Sequence, residues 1–462
     1  MKMKNRRRSV LRKDGLPLKI KKRRFNNIRI IAISFLGVIL VGSLLLMFPF
    51  SSREGVWTHP LDAFFTATSA TCVTGLFIYD AYTHWSLFGQ IVLLILIQIG
   101  GLGFMTIMAI FAFFSKKQMN LHKRQLFMQS MGNINLSGIK SLTKNLFIGT
   151  FLFETVGAIL LAFRFCPMMG FWEGLFNAVF HSVSAFCNAG IDLMGKYGKF
   201  SSFSYFQDDL YVQSVLMLLI VLGGIGFFVW SDILKHGRKI RNYTLHTKMI
   251  LFSTVIFLLG GWLGFFLLEK DGALSGLPLG EQIFCSLFQS VTTRTTGFTT
   301  IDQSKLTGGG VLTIVLMMIG GSPGSTAGGI KNVTVMIVLL SSITTVRRHD
   351  GCTMFKKRIS EETVHQANAI AMIYVFLLVI FSIVIMKLES IDMERALFEA
   401  SAALSTTGIS MGITPSICAA TKILLALLMF IGRVGGFSFV LIFATGKKTP
   451  EIQRPTEKIL VG

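Results

Sequence analysis

Charge is the first thing in short supply. Only 15% of the 462 residues are Asp, Glu, Lys or Arg, against 52% that are hydrophobic, and there are just 9 prolines. A chain so poor in charge cannot cover several soluble cores, so its length is no guide to domain count. The six cysteines (Cys72, Cys166, Cys187, Cys285, Cys352 and Cys418) include no CxxC pair and no Cys/His cluster at ligand spacing. That argues against a disulfide framework and a zinc site. The apolar runs hold no HExxH, no paired carboxylates and no nucleophile beside a base, which disfavours a membrane-embedded enzyme. The N-terminus lacks a short apolar region with a small-residue cleavage site. The first apolar run, Ile30 to Phe50, is of full spanning length and reads as an uncleaved anchor behind a basic arm whose NRRR cluster is a poor twin-arginine signal.

What the chain does have is apolar runs of roughly 20 residues, each long enough to cross a hydrocarbon core of ~30 Å as helix. Mean hydropathy is +0.63. A multi-pass membrane protein is expected. The net charge of +22 sits in turns between the apolar runs. There it sets topology and attracts anionic membrane lipid, and no nucleic-acid partner is expected.

One stretch is spelled four times: DAFFTATSATCVTG ending at Gly75, NAVFHSVSAFCNAG at Gly190, FCSLFQSVTTRTTG at Gly297 and RALFEASAALSTTG at Gly408. The glycines stand 115, 107 and 111 residues apart. Ten residues before each is a large apolar residue (Phe65, Phe180, Leu287, Phe398), and an apolar residue follows each (Leu76, Ile191, Phe298, Ile409). A single Thr-Thr-Gly is an ordinary helix end; four at matching places make a repeat protein.

The expected fold is all-α and polytopic: four repeats of helix, pore loop and helix around a central pseudo-fourfold pore, with eight spans and four half-helices. The divisions are a basic arm at 1–29, repeat 1 at 30–114, a cytoplasmic loop at 115–142, repeat 2 at 143–234, repeat 3 at 248–346, repeat 4 at 367–445 and a tail at 446–462. The second helices are placed at 86–114, 210–234, 310–346 and 421–445. Segments 115–125, 235–248, 346–358 and 446–455 are basic. The other side carries Asp62, Asp80, Glu173, Asp192, Asp208, Asp209, Glu269, Asp271, Glu281, Glu389, Asp392 and Glu394. Positive-inside bias puts both termini in the cytoplasm. The acids read as solvated outer loops that can also raise the local cation concentration.

A half-helix entering from outside points its partly negative C-terminal end at the membrane centre. The backbone after it, Val73-Thr74-Gly75, Asn188-Ala189-Gly190, Thr295-Thr296-Gly297 and Thr406-Thr407-Gly408, can turn carbonyls to a shared axis. Four such strands replace the hydration shell of a monovalent cation. Hydroxyls of Thr74, Thr295, Thr296, Ser405, Thr406 and Thr407 add oxygens, and the Asn188 amide can supply one too. No carboxylate lies in these strands, which argues against a calcium-type acidic ring. Arg294 is expected to turn behind its strand toward an acid or backbone carbonyls.

QIGGLGFMT at 98–106, FHSVSAFCNAG at 180–190 and TRTTGF at 293–298, within the fourfold pattern, resemble the Ktr/Trk/HKT superfamily of potassium transporters. The likeness is greatest to its KtrB-type members, the membrane subunits of bacterial Ktr uptake systems, and it covers nearly the whole chain. It implies potassium as substrate, since the position of Gly75 is glycine in potassium-preferring members and serine in many sodium-preferring ones. It also implies a homodimer in the bacterial plasma membrane, docked on a cytoplasmic ring of nucleotide-binding KtrA/KtrC-like subunits. No cofactor is expected in this chain; the nucleotide belongs to the ring. A sodium-selective or mixed transporter of the same superfamily is the alternative, and a secondary transporter is disfavoured because all units run in the same orientation.

A second signature follows in each unit: GGLGF at 100–104, GGIGF at 223–227, GGSPG at 320–324 and GRVGG at 432–436. Close helix packing explains small residues in the first two. In the third it opens into GGSPGSTAGGIK, which cannot hold a regular helix. With no GK[ST] following, it is no phosphate-binding loop. Gly320, Gly321, Ser322, Pro323, Gly324, Ser325, Thr326, Ala327, Gly328, Gly329 and Lys331 are expected to form a gate beneath the filter, as the resemblance also implies. Arg433, where the other units have Gly101, Gly224 and Gly321, is expected to face the cavity there, as an electrostatic barrier or bonded to loop carbonyls.

Overall fold

The computed structural model describes residues 24–103, 139–348 and 351–435. The expectations for the arm at 1–23, the basic segments 115–125 and 446–455, and the ends of two second helices lie outside the described residues. α1 (Arg24–Met47) leads to the short α2 (Pro60–Cys72), α3 (Ala81–His84) and α4 (Leu87–Leu102). Then come α5 (Ile139–Met169), α6 (Phe171–Phe186), α7 (Leu210–Ile225) and α8 (Phe227–His236), followed by α9 (Leu245–Glu269), α10 (Leu279–Thr292), α11 (Gly308–Met318) and α12 (Asn332–Val346). A small antiparallel hairpin, β1 (Thr353–Met354) with β2 (Lys357–Arg358), precedes α13 (Glu361–Glu389), α14 (Met393–Leu404) and α15 (Ala419–Val434).

Among the described residues α5 from Leu146, α9 and α13 are each long and apolar enough to cross a membrane. Their outward faces expose Phe151, Ile159 and Phe163, then Val255, Leu259 and Leu263, then Phe376, Ile380 and Ile383. Continuous apolar surface of this kind marks a membrane-facing exterior. The chain is a predominantly helical, multi-pass membrane protein.

Each short helix (α2, α6, α10, α14) carries an acid in its first turn: Asp62, Glu173, Glu281 and Glu394. A negative charge there suits the positive end of the helix dipole. Their inner turns bury small side chains such as Ala67, Ser182, Ser290 and Ala402, which lets backbones approach. Each packs on the long helix before it, and also on a second helix of the preceding unit: α4 on α6, α7 on α10, α11 on α14, and α15 back on α2. That last contact closes the ring.

The second helices differ from expectation. Instead of one span at 210–234, α7 and α8 meet at a 90° bend at Gly226, whose φ is 95°. α4 and α15 likewise end at glycines with positive φ, Gly103 (70°) and Gly435 (93°), so the signature breaks helices as well as packing them. The packing is real too. A Cβ on Gly100, Gly223 or Gly432 would come closer than 3.0 Å to the carbonyl oxygen of Thr71, Phe186 or Leu404 respectively. Each of those carbonyls lies four residues before a repeat glycine. The run at 310–346 breaks between Met318 and Asn332, where proline and glycine require it.

Two smaller corrections concern the short helices and outer loops. In the third unit the fully buried ring is Phe288, not the half-buried Leu287, because the Thr296 N–H bonds back four residues to Thr292, whereas Thr74, Ala189 and Thr407 bond back five. Asp62, Asp80 and Glu269 are buried rather than solvated. Glu269 accepts from the N–H groups of Ala273, Thr307 and Gly309 at 2.9, 2.8 and 2.7 Å, capping α11.

Candidate ion pathway

The four repeat glycines meet. A Cβ on Gly75 would come closer than 3.0 Å to the Ala189 carbonyl oxygen; on Gly190, to that of Thr296; on Gly297, to that of Thr407; on Gly408, to that of Thr74. Each glycine thus abuts the residue before the glycine of the next unit, and the fourth abuts the first. All four have positive φ (93°, 62°, 108° and 80°). The residue two before each is also left-handed: Val73 (57°), Asn188 (58°), Thr295 (69°) and Thr406 (55°). Three of those four side chains are branched at Cβ, so this conformation is costly and is held by its surroundings.

Of the hydroxyls expected to face ions, those of Thr74, Thr295 and Thr406 are buried without a partner. The Thr296 hydroxyl is taken by Asn188 Nδ2 (3.1 Å), and Ser405 and Thr407 bond each other at 2.7 Å. The Asn188 amide oxygen is not free either: it accepts from Thr326 Oγ1 at 3.0 Å. Three orphaned hydroxyls beside a ring of backbone oxygens form a donor set that fits a dehydrated monovalent cation.

On one side of the ring lies a cavity of about 150 Å³ lined by all four glycines, with Asp80, Asp192, Ser202 and Thr414 among its walls. Asp80 is committed to the N–H groups of Tyr82, Thr83 and Phe200. Asp192, in the loop beyond α6, accepts from Met194 N–H at 3.0 Å. Its enclosure in the loop wall pushes its carboxyl up to about 7, against the pull of that bond.

On the other side lies the 319–331 loop. Its backbone docks on the broken helix of the second unit. Ser322 N–H donates to the Gly224 carbonyl (2.9 Å) and Phe227 N–H to that of Gly324 (3.0 Å). The bend at Gly226 leaves these helix-end groups unpaired within the helix, and the loop takes them. Gly328 sits against the Thr406 hydroxyl and the Ser405 carbonyl so closely that no Cβ fits.

The basic side chains bind carbonyls. Arg433 donates through Nη1 to the Thr326 carbonyl and through Nη2 to those of Gly100 and Gly101, tying the loop to the first unit. Lys331 Nζ donates to the Ala327 carbonyl at 2.6 Å. Arg294 turns away from the ring toward the carbonyls of Thr254 (3.4 Å) and Gly320 (3.5 Å).

Sequence reasoning missed Glu154, the lone acid in its apolar run. It accepts from Gln98 Nε2 at 3.0 and 3.1 Å beside a cavity of about 720 Å³. An acid alone in a spanning helix was a legible signal. It also missed that Asp192 opens on the ring cavity, which only the loop path reveals.

Four short helices aimed at one ring of backbone oxygens, in a multi-pass membrane protein, define a cation-handling membrane protein. The family described as TrkH, a cation transport protein, matches residues 17–452, and the chain belongs to it. It is 35% identical to the Ktr system potassium uptake protein B of Bacillus subtilis over 98% of this chain and 100% of that one. It is also 35% identical to the potassium/sodium uptake protein NtpJ of Enterococcus hirae, over 96% and 98% respectively. The crystal structure of the potassium transporter TrkH from Vibrio parahaemolyticus shares the fold, with a TM-score of 0.74 at 18% identity, covering 93% of this chain and 87% of that one.

Proposed function

We propose that this chain is the potassium-conducting membrane subunit of an uptake system. The observation that carries the reading is the closed ring in which each repeat glycine abuts a carbonyl of the next unit. Val73–Gly75, Asn188–Gly190, Thr295–Gly297 and Thr406–Gly408 form the selectivity filter, and the units 30–114, 143–234, 248–346 and 367–445 each supply a quarter of its wall. The C-terminal ends of α2, α6, α10 and α14 place partial negative charge beneath dehydrated ions, and the orphaned threonine hydroxyls add oxygens. Ions enter through the cavity beside Asp192 and run down their gradient. An inward-negative potential favours each by ~2.3 kcal/mol per 100 mV.

The Gly320–Lys331 loop is the gate, held shut across the inner face by Arg433. Both termini are cytoplasmic, where the basic segments dock regulatory, nucleotide-binding subunits, and the chain works as a homodimer. Relatives named as parts of Ktr systems support a partnership with further subunits. A relative named for both potassium and sodium keeps a mixed selectivity as the second reading. Growth rescue of a potassium-uptake-deficient bacterium at low potassium tests the proposal, with Gly75→Ser as the selectivity control. No rescue, with or without a co-expressed regulatory ring, sinks it.

A further inference from the structure

Asn188 is the odd residue of the filter. It occupies the left-handed position that the other units fill with Val73, Thr295 and Thr406. Asparagine adopts that conformation more readily than they do, yet its side chain is not idle. Oδ1 accepts from the hydroxyl of Thr326 in the gate loop at 3.0 Å. Nδ2 donates to the Thr296 hydroxyl at 3.1 Å, with the Arg294 carbonyl at 3.4 Å. One amide therefore spans the gate loop and the filter strands of two units. Thr326 is a node as well. Its one hydroxyl proton is shared between Asn188 Oδ1 and the Phe186 carbonyl, each 3.0 Å away, and its own carbonyl receives Arg433.

Resting on the proposed function, we infer that Asn188 and Thr326 form a latch through which the seating of the gate loop sets the filter's discrimination between potassium and sodium. Asn188 and Thr326 are both buried while the loop is seated. When the loop leaves, the amide oxygen loses its protein donor, and the side chain reorients toward another. Its nitrogen then leaves Thr296, whose carbonyl is the one packed against Gly190 in the ring. Loop movement thus reaches the oxygens that replace the hydration shell. The coupling is reciprocal, so the ion in the filter also biases the loop.

The purified full-length chain in liposomes tests this with Thr326→Val, Asn188→Thr and the double variant. Asn188→Thr places in unit 2 the residue that units 3 and 4 already hold in the same conformation, so folding is preserved. Each single variant is expected to lower the potassium-to-sodium flux ratio roughly fivefold or more. The double variant should be no worse than either single one. Thr326→Ser, which keeps the hydroxyl, should restore most of the ratio. Single effects that multiply in the double variant, or a Thr326→Val change in flux with the ratio intact, would overturn the latch. Hydrogen exchange decides independently of transport: Thr326→Val should speed exchange at 187–191, and Asn188→Thr should speed it at 322–329. Wild-type liposomes that pass neither ion refute the proposed function, whereas unchanged exchange in both segments refutes the latch.

Discussion

Lys422 Nζ on α15 lies 2.6 Å from Asp62 Oδ1 on α2, and Tyr79 donates to the other oxygen at 2.8 Å. This pair ties the last unit to the first, 360 residues apart in the chain, and both side chains are largely buried. Removing one partner strands the other charge, at a cost of ~3–5 kcal/mol for a fully enclosed pair. Asp62→Asn and Lys422→Met should each lower the Tm in detergent by several degrees. The double variant Asp62→Leu/Lys422→Met should lose less than either. Additive losses would show that the two charges act separately.

The glycine ring tolerates no side chain. A Cβ at Gly408 would run into the Thr74 carbonyl and a Cβ at Gly190 into that of Thr296, in backbone of positive φ. Gly408→Ala and Gly190→Ala should abolish growth rescue while the protein still reaches the membrane. The control is Gly37→Ala, on α1 with open space around it, which should rescue like the wild type. Rescue by Gly408→Ala would mean that the ring is not the ion path.

The four short helices were legible because each repeats a pattern with a local cause: small residues along its inner turns and a glycine where the backbone turns left-handed. Proline and clustered glycines likewise announced the break at 319–331. What stayed hidden depends on contacts between units. The bend at Gly226 makes sense only once Ser322 and Gly324 supply partners for Gly224 and Phe227. The loss of one residue of helix before Gly297, which puts the buried side chain at Phe288 and leaves Leu287 half-buried, is invisible to a fixed ten-residue count. The bond between Asn188 and Thr326 was not legible, because the two lie 138 residues apart in the chain.

The mouth of the pathway should respond to pH. Asp192 borders the cavity above the ring, and with its carboxyl held at about 7 it passes from roughly one-tenth charged at pH 6 to about nine-tenths at pH 8. A raised carboxylate gains its charge as pH rises through that value, so alkalinisation adds a negative charge beside the ring, where the proposed function has cations enter. Potassium flux at low ionic strength should rise roughly two- to tenfold between those values. Asp192→Asn should be flat over the same range. A slope that survives the substitution assigns the effect to another group.

Arg433 offers the sharpest test of the gate. Its guanidinium bridges the Thr326 carbonyl of the loop and the Gly100 and Gly101 carbonyls of unit 1, and it brings a positive charge to the loop side of the glycine ring. Charge and clamp are separable, since lysine keeps the first but cannot reproduce the planar fork that holds two units at once. If the clamp dominates, Arg433→Gln and Arg433→Lys both raise basal potassium flux in liposomes, by roughly tenfold for the loss of about 1.4 kcal/mol of closed-state stabilisation. If the charge dominates, only Arg433→Gln does. Flux that is unchanged or lower in Arg433→Gln, with normal folding, would remove Arg433 from gating altogether and leave it a structural tie between the first and third units.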